Sequence, residues 1–216
     1  MEHRESTQTP PLVVRPAAPE EFGRLLPVCV EAFADEAVSA WVEPQPGLRL
    51  DRTRELFETS LREAVDAGQL VVAFLPAGDA VAASVWIDLT EGAAEPPPPA
   101  DDTTQHHATQ ATRATRATRR LATVLAATSA RHPATPHVYL SAMAALPRRR
   151  GLGAGSAMLR HGLDRARRIG LPVYLEASTP RNRRLYLRHG FRDRGEPIHL
   201  PDGGPSLQPM WHPAGR

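Results

Sequence analysis

The stretch Met143-Ala144-Ala145-Leu146-Pro147-Arg148-Arg149-Arg150-Gly151-Leu152-Gly153-Ala154-Gly155-Ser156 decides the fold. Upstream of it, His137 to Met143 reads as a β-strand. Downstream, Gly153 to Ile169 carries Met158, Leu159, Leu163, Ala166 and Ile169 at the spacing of one helix face. Pro172 to Glu176 is a second strand. Strand, glycine turn, helix and strand in succession predict a parallel strand pair joined by a right-handed crossover.

A turn of this composition suits a phosphate. Glycines let successive backbone N–H groups converge and let a ligand approach the main chain. The helix behind the turn adds the positive end of its dipole, about half a charge. Arg148, Arg149 and Arg150 add forked donors. A pyrophosphate is the expected occupant. A P-loop would need G-x-x-x-x-G-K-[ST], which a chain without lysine cannot supply. A dinucleotide fold shares the layout, with Glu176 where a ribose-binding acid would sit. Its glycines are spaced G-x-G-x-x-G, whereas Gly151, Gly153 and Gly155 give G-x-G-x-G. Too few residues follow Glu176 for a second nucleotide-binding half, so dinucleotide binding stands as the weaker alternative.

Toward the N-terminus, residues 1–10 read as a loose polar tail and Leu12 to Arg15 as a first strand. Pro19, Glu20 and Glu21 signal a helix start, followed by Phe22, Leu25, Leu26, Cys29, Val30 and Phe33 on one face. A second helix fits 51–66. Leu70 to Leu75 and Ala80 to Ile87 flank a Pro-Ala-Gly-Asp turn and predict a hairpin. An insert at about 90–119 holds a proline run, His106-His107 and Ala-Thr-Arg triplets. It reads as a flexible loop passing into a helix through Leu121, Val124 and Leu125, ending near Arg131. Beyond Glu176, Arg181 to His189 predicts a short helix stopped at Gly190. Strands follow from Phe191 and around Leu207 to Trp211, and 11–213 reads as one domain.

Composition narrows the function. All 26 basic Lys/Arg positions are arginine, which lifts the pI to 9.2 although the formal charge is only +2. Aromatic residues make up 5%, without the interleaving a nucleic-acid surface needs, so no specific nucleic-acid partner is expected. The single Cys29 sits in an apolar run, which excludes an internal disulfide and any cysteine metal site. His106-His107 lacks a third ligand at a compatible spacing, and no metal is expected. No stretch approaches the roughly 20 apolar residues of a membrane span, and the N-terminus shows no signal-peptide core. A cytoplasmic monomer or homodimer is expected.

The pattern [Q/R]-x-x-G-x-[G/A], met by Arg148, Gly151 and Gly153, resembles the acetyl-CoA motif of the GNAT N-acetyltransferase superfamily. Leu175-Glu176-Ala177-Ser178-Thr179-Pro180-Arg181-Asn182-Arg183-Arg184-Leu185-Tyr186 with Gly190-Phe191 is similar to the family's second motif. The short Ser-x-Pro-Arg-Asn-x-x-x-Tyr spacing is similar to that of the puromycin N-acetyltransferase-like bacterial branch. The resemblance implies a mixed α/β (α+β) fold: a centrally splayed sheet of about six to seven strands, with helices on both faces. It implies acetyl-CoA as co-substrate and a small-molecule amine as acceptor.

It also implies roles for residues. Met143, Ala144 and Ala145 would offer backbone groups to the pantetheine arm, which lies between splayed strands like a short extra strand. Arg148, Arg149, Arg150, Gly151, Leu152, Gly153, Ala154 and Gly155 would form the pyrophosphate cradle. Asn182 would bond the arm. Tyr186 would serve the departing thiolate as general acid, and Glu176 would take the amine proton. Asp35, Glu36 and Glu43 are alternative acids for a cationic substrate, and Trp41 offers a flat face to an amine or aromatic group. A free alkyl amine of pKa around 10 is mostly protonated at neutral pH, so the reaction needs such a base. A non-catalytic acyl-CoA-binding domain is the alternative from another class.

Overall fold

The computed structural model describes residues 11–90 and 110–215. The expected tail at 1–10, the proline run and His106-His107 lie outside these residues.

The chain forms an eight-stranded sheet in the order β1-β2-β3-β4-β5-β8-β6, with β7 paired to β8. Strands β1 (Val13–Pro16), β2 (Leu70–Phe74), β3 (Ala80–Leu89) and β4 (His137–Ala145) make one antiparallel half. Strands β5 (Val173–Ala177), β6 (Arg192–Asp193), β7 (Ile198–His199) and β8 (Ser206–His212) make the other. The only parallel pair among the described residues is β4–β5, joined through helix α5 (Ala154–Arg168) as the glycine turn predicted. All the other strand pairs among the described residues are antiparallel, unlike the doubly wound parallel sheet that a dinucleotide fold requires. The strand count exceeds the expected six to seven by β7, whose two residues are too short a run to show a period.

Helices α1 (Phe22–Ala34), α2 (Ala37–Val42), α3 (Pro46–Asp66) and α4 (Gln110–Ser129) precede α5, and α6 (Pro180–Arg188) follows β5. Helix α1 buries the predicted face, Leu25 and Cys29 deepest, against α3 and the strands β2 and β3. Its entry is fixed by Glu21, whose carboxylate accepts from the Ala18 N–H at 2.9 Å and from Arg15 of β1 at 2.6 and 2.8 Å. The opposite sheet face carries α5, with Met158, Leu159, Leu163 and Ala166 buried against β2 to β5. Ile169 lies at the C-cap of α5 and is exposed, so it is not the core residue its spacing suggested.

Two other expectations change. The Ala-Thr-Arg triplets from Ala111 are helical, not loop, and form the first half of α4. Alanine favours helix strongly enough for a three-residue repeat to be carried, with Ala117 buried and Arg116 and Arg119 exposed. Leu125 also points outward, while Val124 packs with Trp41, Leu200 and Leu207.

The feature that positions the site is a split in the sheet. Strands β4 and β5 pair only at Val138↔Val173 and Tyr139↔Tyr174. Beyond those pairs β4 stays bonded to β3 through Ala145, and β5 stays bonded to β8 through Ala177. The two halves diverge, and the facing edges of both strands lose each other as partners.

Candidate active site

The glycine turn lies at the open end of this split. Pro147–Arg149 form a 3₁₀ turn, and Gly151 and Gly153 follow at φ of 89° and 78°. A side chain at either position would be strained by about 1–2 kcal/mol, which is why the turn needs glycine there. Gly153 is the N-cap of α5. The first N–H of this region to find a main-chain acceptor is that of Ala157, bonded to Gly153 O at 3.0 Å. From Gly151 to Ser156 the N–H groups make no main-chain hydrogen bond among the described residues. Such a run at a helix start is a cradle for anionic oxygens.

The cradle opens into a cavity of about 630 Å³, within the usual range for small-molecule sites. Its walls bring together most of the residues singled out in the sequence. Met143, Ala144 and Ala145 come from β4; Arg149, Arg150, Gly151, Gly153, Ala154 and Gly155 from the turn; Asn182 from α6. Two turn residues stand apart. Arg148, which fills the first motif position, pairs with Glu31 and faces a different hollow beside Asp79. Leu152 does not line the cavity either. Alternate residues of a tight turn point to opposite sides, and a motif spacing does not say which side is which.

The floor of the cavity holds two of the alternative acids. Asp35 pairs with Arg150, and Glu36 accepts from Asn182 Nδ2 at 3.4 Å. Burial pushes the Glu36 carboxyl upward, opposed by Arg150 and by Asn182. Asn182 Nδ2 also reaches Ser178 Oγ at 3.2 Å, so its amide nitrogen is committed and its oxygen is the group left for a ligand. Asn182 is itself placed by the Thr179 cap of α6, whose hydroxyl accepts from the Asn182 N–H at 3.1 Å. Glu43 is buried and accepts from the Gln45 N–H at 3.0 Å, a turn-forming role. Trp41 is covered by the Arg120 guanidinium, 4.7 Å from the ring, so its face is already taken.

Glu176 and Tyr186 do not line this cavity. Glu176 lies on β5 two residues past the last β4–β5 pair; its neighbours Leu175 and Ala177 pack in the cluster with α5, so it faces the other side of the sheet. Tyr139 OH donates to its Oε2 at 2.9 Å, while Oε1 has no hydrogen-bond partner and lies 3.8 Å from His132 Nε2. Burial raises the Glu176 carboxyl to about 7, with the Tyr139 and Tyr174 hydroxyls pulling the other way. The rings of His132, Tyr139 and Tyr174 pack around it, and burial lowers His132 to about 4. Tyr186 is buried on α6 against Phe191. Burial, then the charges of Glu36 and Glu176, hold its proton on well beyond the ordinary tyrosine range. It therefore stands between the acid of the cavity floor and the acid of the opposite face.

Comparison with known proteins fits this geometry. The model of the acetyltransferase (GNAT) family matches residues 78–191, more than half of the chain. The chain belongs to the GNAT family. A GNAT-type structure from Corynebacterium glutamicum, described as histone acetyltransferase HPA2 and related acetyltransferase, is 29% identical. It covers 95% of this chain and 97% of its own at a TM-score of 0.64. The Drosophila melanogaster polyamine N-acetyltransferase, which forms N-acetylagmatine, shares the fold at 17% identity and a TM-score of 0.63, covering 93% and 99%. The PaiA N-acetyltransferase of Thermoplasma acidophilum in complex with coenzyme A is 11% identical, with a TM-score of 0.57 and coverage of 94% and 99%.

As a GNAT enzyme the chain is an acetyl-CoA-dependent N-acetyltransferase. The N–H run with Arg149 and Arg150 suits a pyrophosphate, and the unpaired edge of β4 suits an amide-bearing arm. Among the described residues no group of three His, Cys, Asp or Glu is placed to hold a metal. Among the same residues no helix is long and apolar enough to cross a membrane. Cys29 is buried and its thiol is pushed up to about 12, a packing residue.

Proposed function

We propose that the chain transfers the acetyl group of acetyl-CoA to a primary amine of a small molecule, by direct attack with both substrates bound. The observation that carries this reading is Glu176 at the split, a buried carboxyl raised to about 7 and hydrogen-bonded by Tyr139. A base whose proton affinity lies near working pH both accepts and releases a proton readily.

In this reading Arg149 and the N–H groups of Gly151 to Ala154 hold the pyrophosphate. The edges of Met143, Ala144 and Ala145 and the Asn182 oxygen orient the arm. Glu176 takes a proton from the amine approaching from the sheet face opposite α5. Nitrogen attacks the thioester carbon, the carbon–sulfur bond breaks, and the electron pair leaves on sulfur. Tyr186 gives its proton to the departing sulfur as general acid and is reprotonated by the second proton that the nitrogen sheds, so the products are the amide and the thiol.

The fold-level neighbour that acetylates agmatine and the Ser-x-Pro-Arg-Asn-x-x-x-Tyr spacing both support an amine acceptor. A panel of polyamines, arylalkylamines and puromycin-type aminonucleosides, read out as free CoA thiol, tests it. At least one amine is expected to turn over, with Tyr186→Phe and Glu176→Gln each lowering kcat by about 10²–10⁴. Binding of acetyl-CoA without turnover of any amine would overturn the reading.

A further inference from the structure

His132 takes no part in the reaction as proposed, yet it covers the carboxyl that the reaction needs. It lies in the irregular segment 130–136, between α4 and β4. The side chains of His132 and Glu176 are only 7% and 5% exposed. A base must come within about 3 Å of the group it deprotonates, directly or through one water, so the acceptor needs a way in. Glu176 does not line the cofactor cavity, which leaves its own face of the sheet. On that face three rings pack around the carboxyl: Tyr139 from β4, Tyr174 from β5 and His132. The two tyrosines belong to paired strands, and only His132 comes from irregular backbone.

The hydrogen bonds mark His132 as the wall that moves. Neither nitrogen of its ring has one: Nδ1 is buried without a partner, and Nε2 stops 3.8 Å from Glu176 Oε1, which has no donor of its own. Buried polar atoms left in this way are costly, and water or a ligand would satisfy each of them. Contact alone holds the ring, with centroids 4.4 Å from Tyr139, 5.0 Å from Tyr174 and 5.6 Å from His137. Its neighbours are tied: Tyr139 OH donates to Glu176 at 2.9 Å, and His137 Nδ1 bonds Thr135 O at 2.8 Å. The backbone beside the ring is fixed as well, since Pro133 is buried and the His132 N–H bonds Ser129 O at 3.2 Å. The ring can therefore leave by turning about its own side-chain bonds, with the segment in place.

What replaces it follows from the walls. The space has the size of an imidazole, an unpaired carboxylate oxygen at one end and two tyrosine rings beside it. A primary amine on a short carbon stem suits all three. Its N–H groups supply the donor that Oε1 lacks, and its charge and first methylenes lie against the rings. We propose that His132 is the gate of the acceptor site: its imidazole holds the amine's place beside Glu176 and swings out when the acceptor enters. The proposal rests on Glu176 as the base. His132 then governs how tightly acceptors bind and carries no proton. An acceptor binds only open molecules, so its apparent affinity is lowered by the open fraction.

Kinetics of the wild type, His132→Ala and His132→Phe, with the amine of the panel that turns over fastest, test the gate. His132→Ala removes the ring, and the amine KM is expected to fall about tenfold with kcat little changed. His132→Phe keeps a ring without the buried nitrogens, and its KM is expected to equal or exceed that of the wild type. Imidazole refills the space left in His132→Ala, so it is expected to compete with the amine there and not in the wild type. In the wild type with coenzyme A bound, adding the amine is expected to speed exchange of the His132 ring C–H hydrogen severalfold, read by mass spectrometry. This last measurement needs no variant to fold. An unchanged KM in His132→Ala overturns the gate, as does ring exchange that the amine slows or leaves alone. Imidazole that raises the kcat of His132→Ala would make His132 a proton carrier, which also overturns it. If the wild type turns over no amine, the base reading fails and the gate with it; turnover without these effects overturns the gate alone.

Discussion

At the scale of single residues, the burial of Glu176 bears on stability as well as on the chemistry proposed for it. Its folded-state pKa of about 7 lies above the ordinary 4.5, so the folded protein binds its proton more tightly than the unfolded chain does. The stability this contributes is full below pH 4.5 and falls away as pH rises through 7, then levels off. His132 works with the opposite sign. Lowered to about 4 from 6.5, it favours the folded state above 6.5 and withdraws that support as pH falls through 4. The two trends oppose each other in the wild type over the shared window. Glu176→Gln removes the first, so its urea midpoint is expected to rise between pH 4.5 and 6.5 more steeply than that of the wild type. Parallel curves for the two proteins would show that Glu176 does not titrate in this way.

Residues also show how much could be read in advance. Gly151 and Gly153 were legible because only glycine tolerates their φ, and the need for it survives any orientation of the loop. Arg148 was not, because its direction depends on Glu31 of α1, more than a hundred positions away in sequence. His132 was visible as a letter, but its ring acquires meaning only once the segment after α4 folds back over Glu176. Glu176 was found as the acid ending its strand, yet the rings that dry it come from three separate segments.

At the scale of elements, α5 depends on one close approach. An ideal methyl built on Gly162 would lie 2.2 Å from the Trp86 ring of β3. Trp86 is 1% exposed and its indole N–H is bonded to Ser84 Oγ at 2.9 Å, so the ring has little room to yield. Gly162→Ala gains helix propensity but overpacks this contact, and a net loss of about 1–3 kcal/mol is expected. Urea unfolding should show a lower midpoint at unchanged slope. A midpoint equal to or above the wild type would mean that α5 stands off the sheet. The elements themselves were predictable where they are long: α1, α5 and the β2–β3 hairpin show their period over ten or more residues. Helix α2 has six residues and was missed, since so short a run carries no period to recognise.

At the scale of the whole molecule, the split sheet means that two four-strand halves meet along a seam of two residue pairs. The main-chain bridge at that seam is short, and helix α5 is the principal tie across it. Opening the seam without unfolding either half is thus the least costly large motion available. A molecule that fills the gap acts as a clasp between two rigid plates. It lowers the population of the parted state by the factor 1 + [L]/Kd, about a hundredfold at a concentration a hundred times its Kd. Amide exchange at β5 and at the β4 end of the seam is expected to slow selectively when coenzyme A is added, with α1 and α3 little changed. Uniform slowing throughout the chain would mean that the halves separate only when everything unfolds. The cleft that serves chemistry would then also be where a cell's supply of coenzyme sets the lifetime of the closed protein.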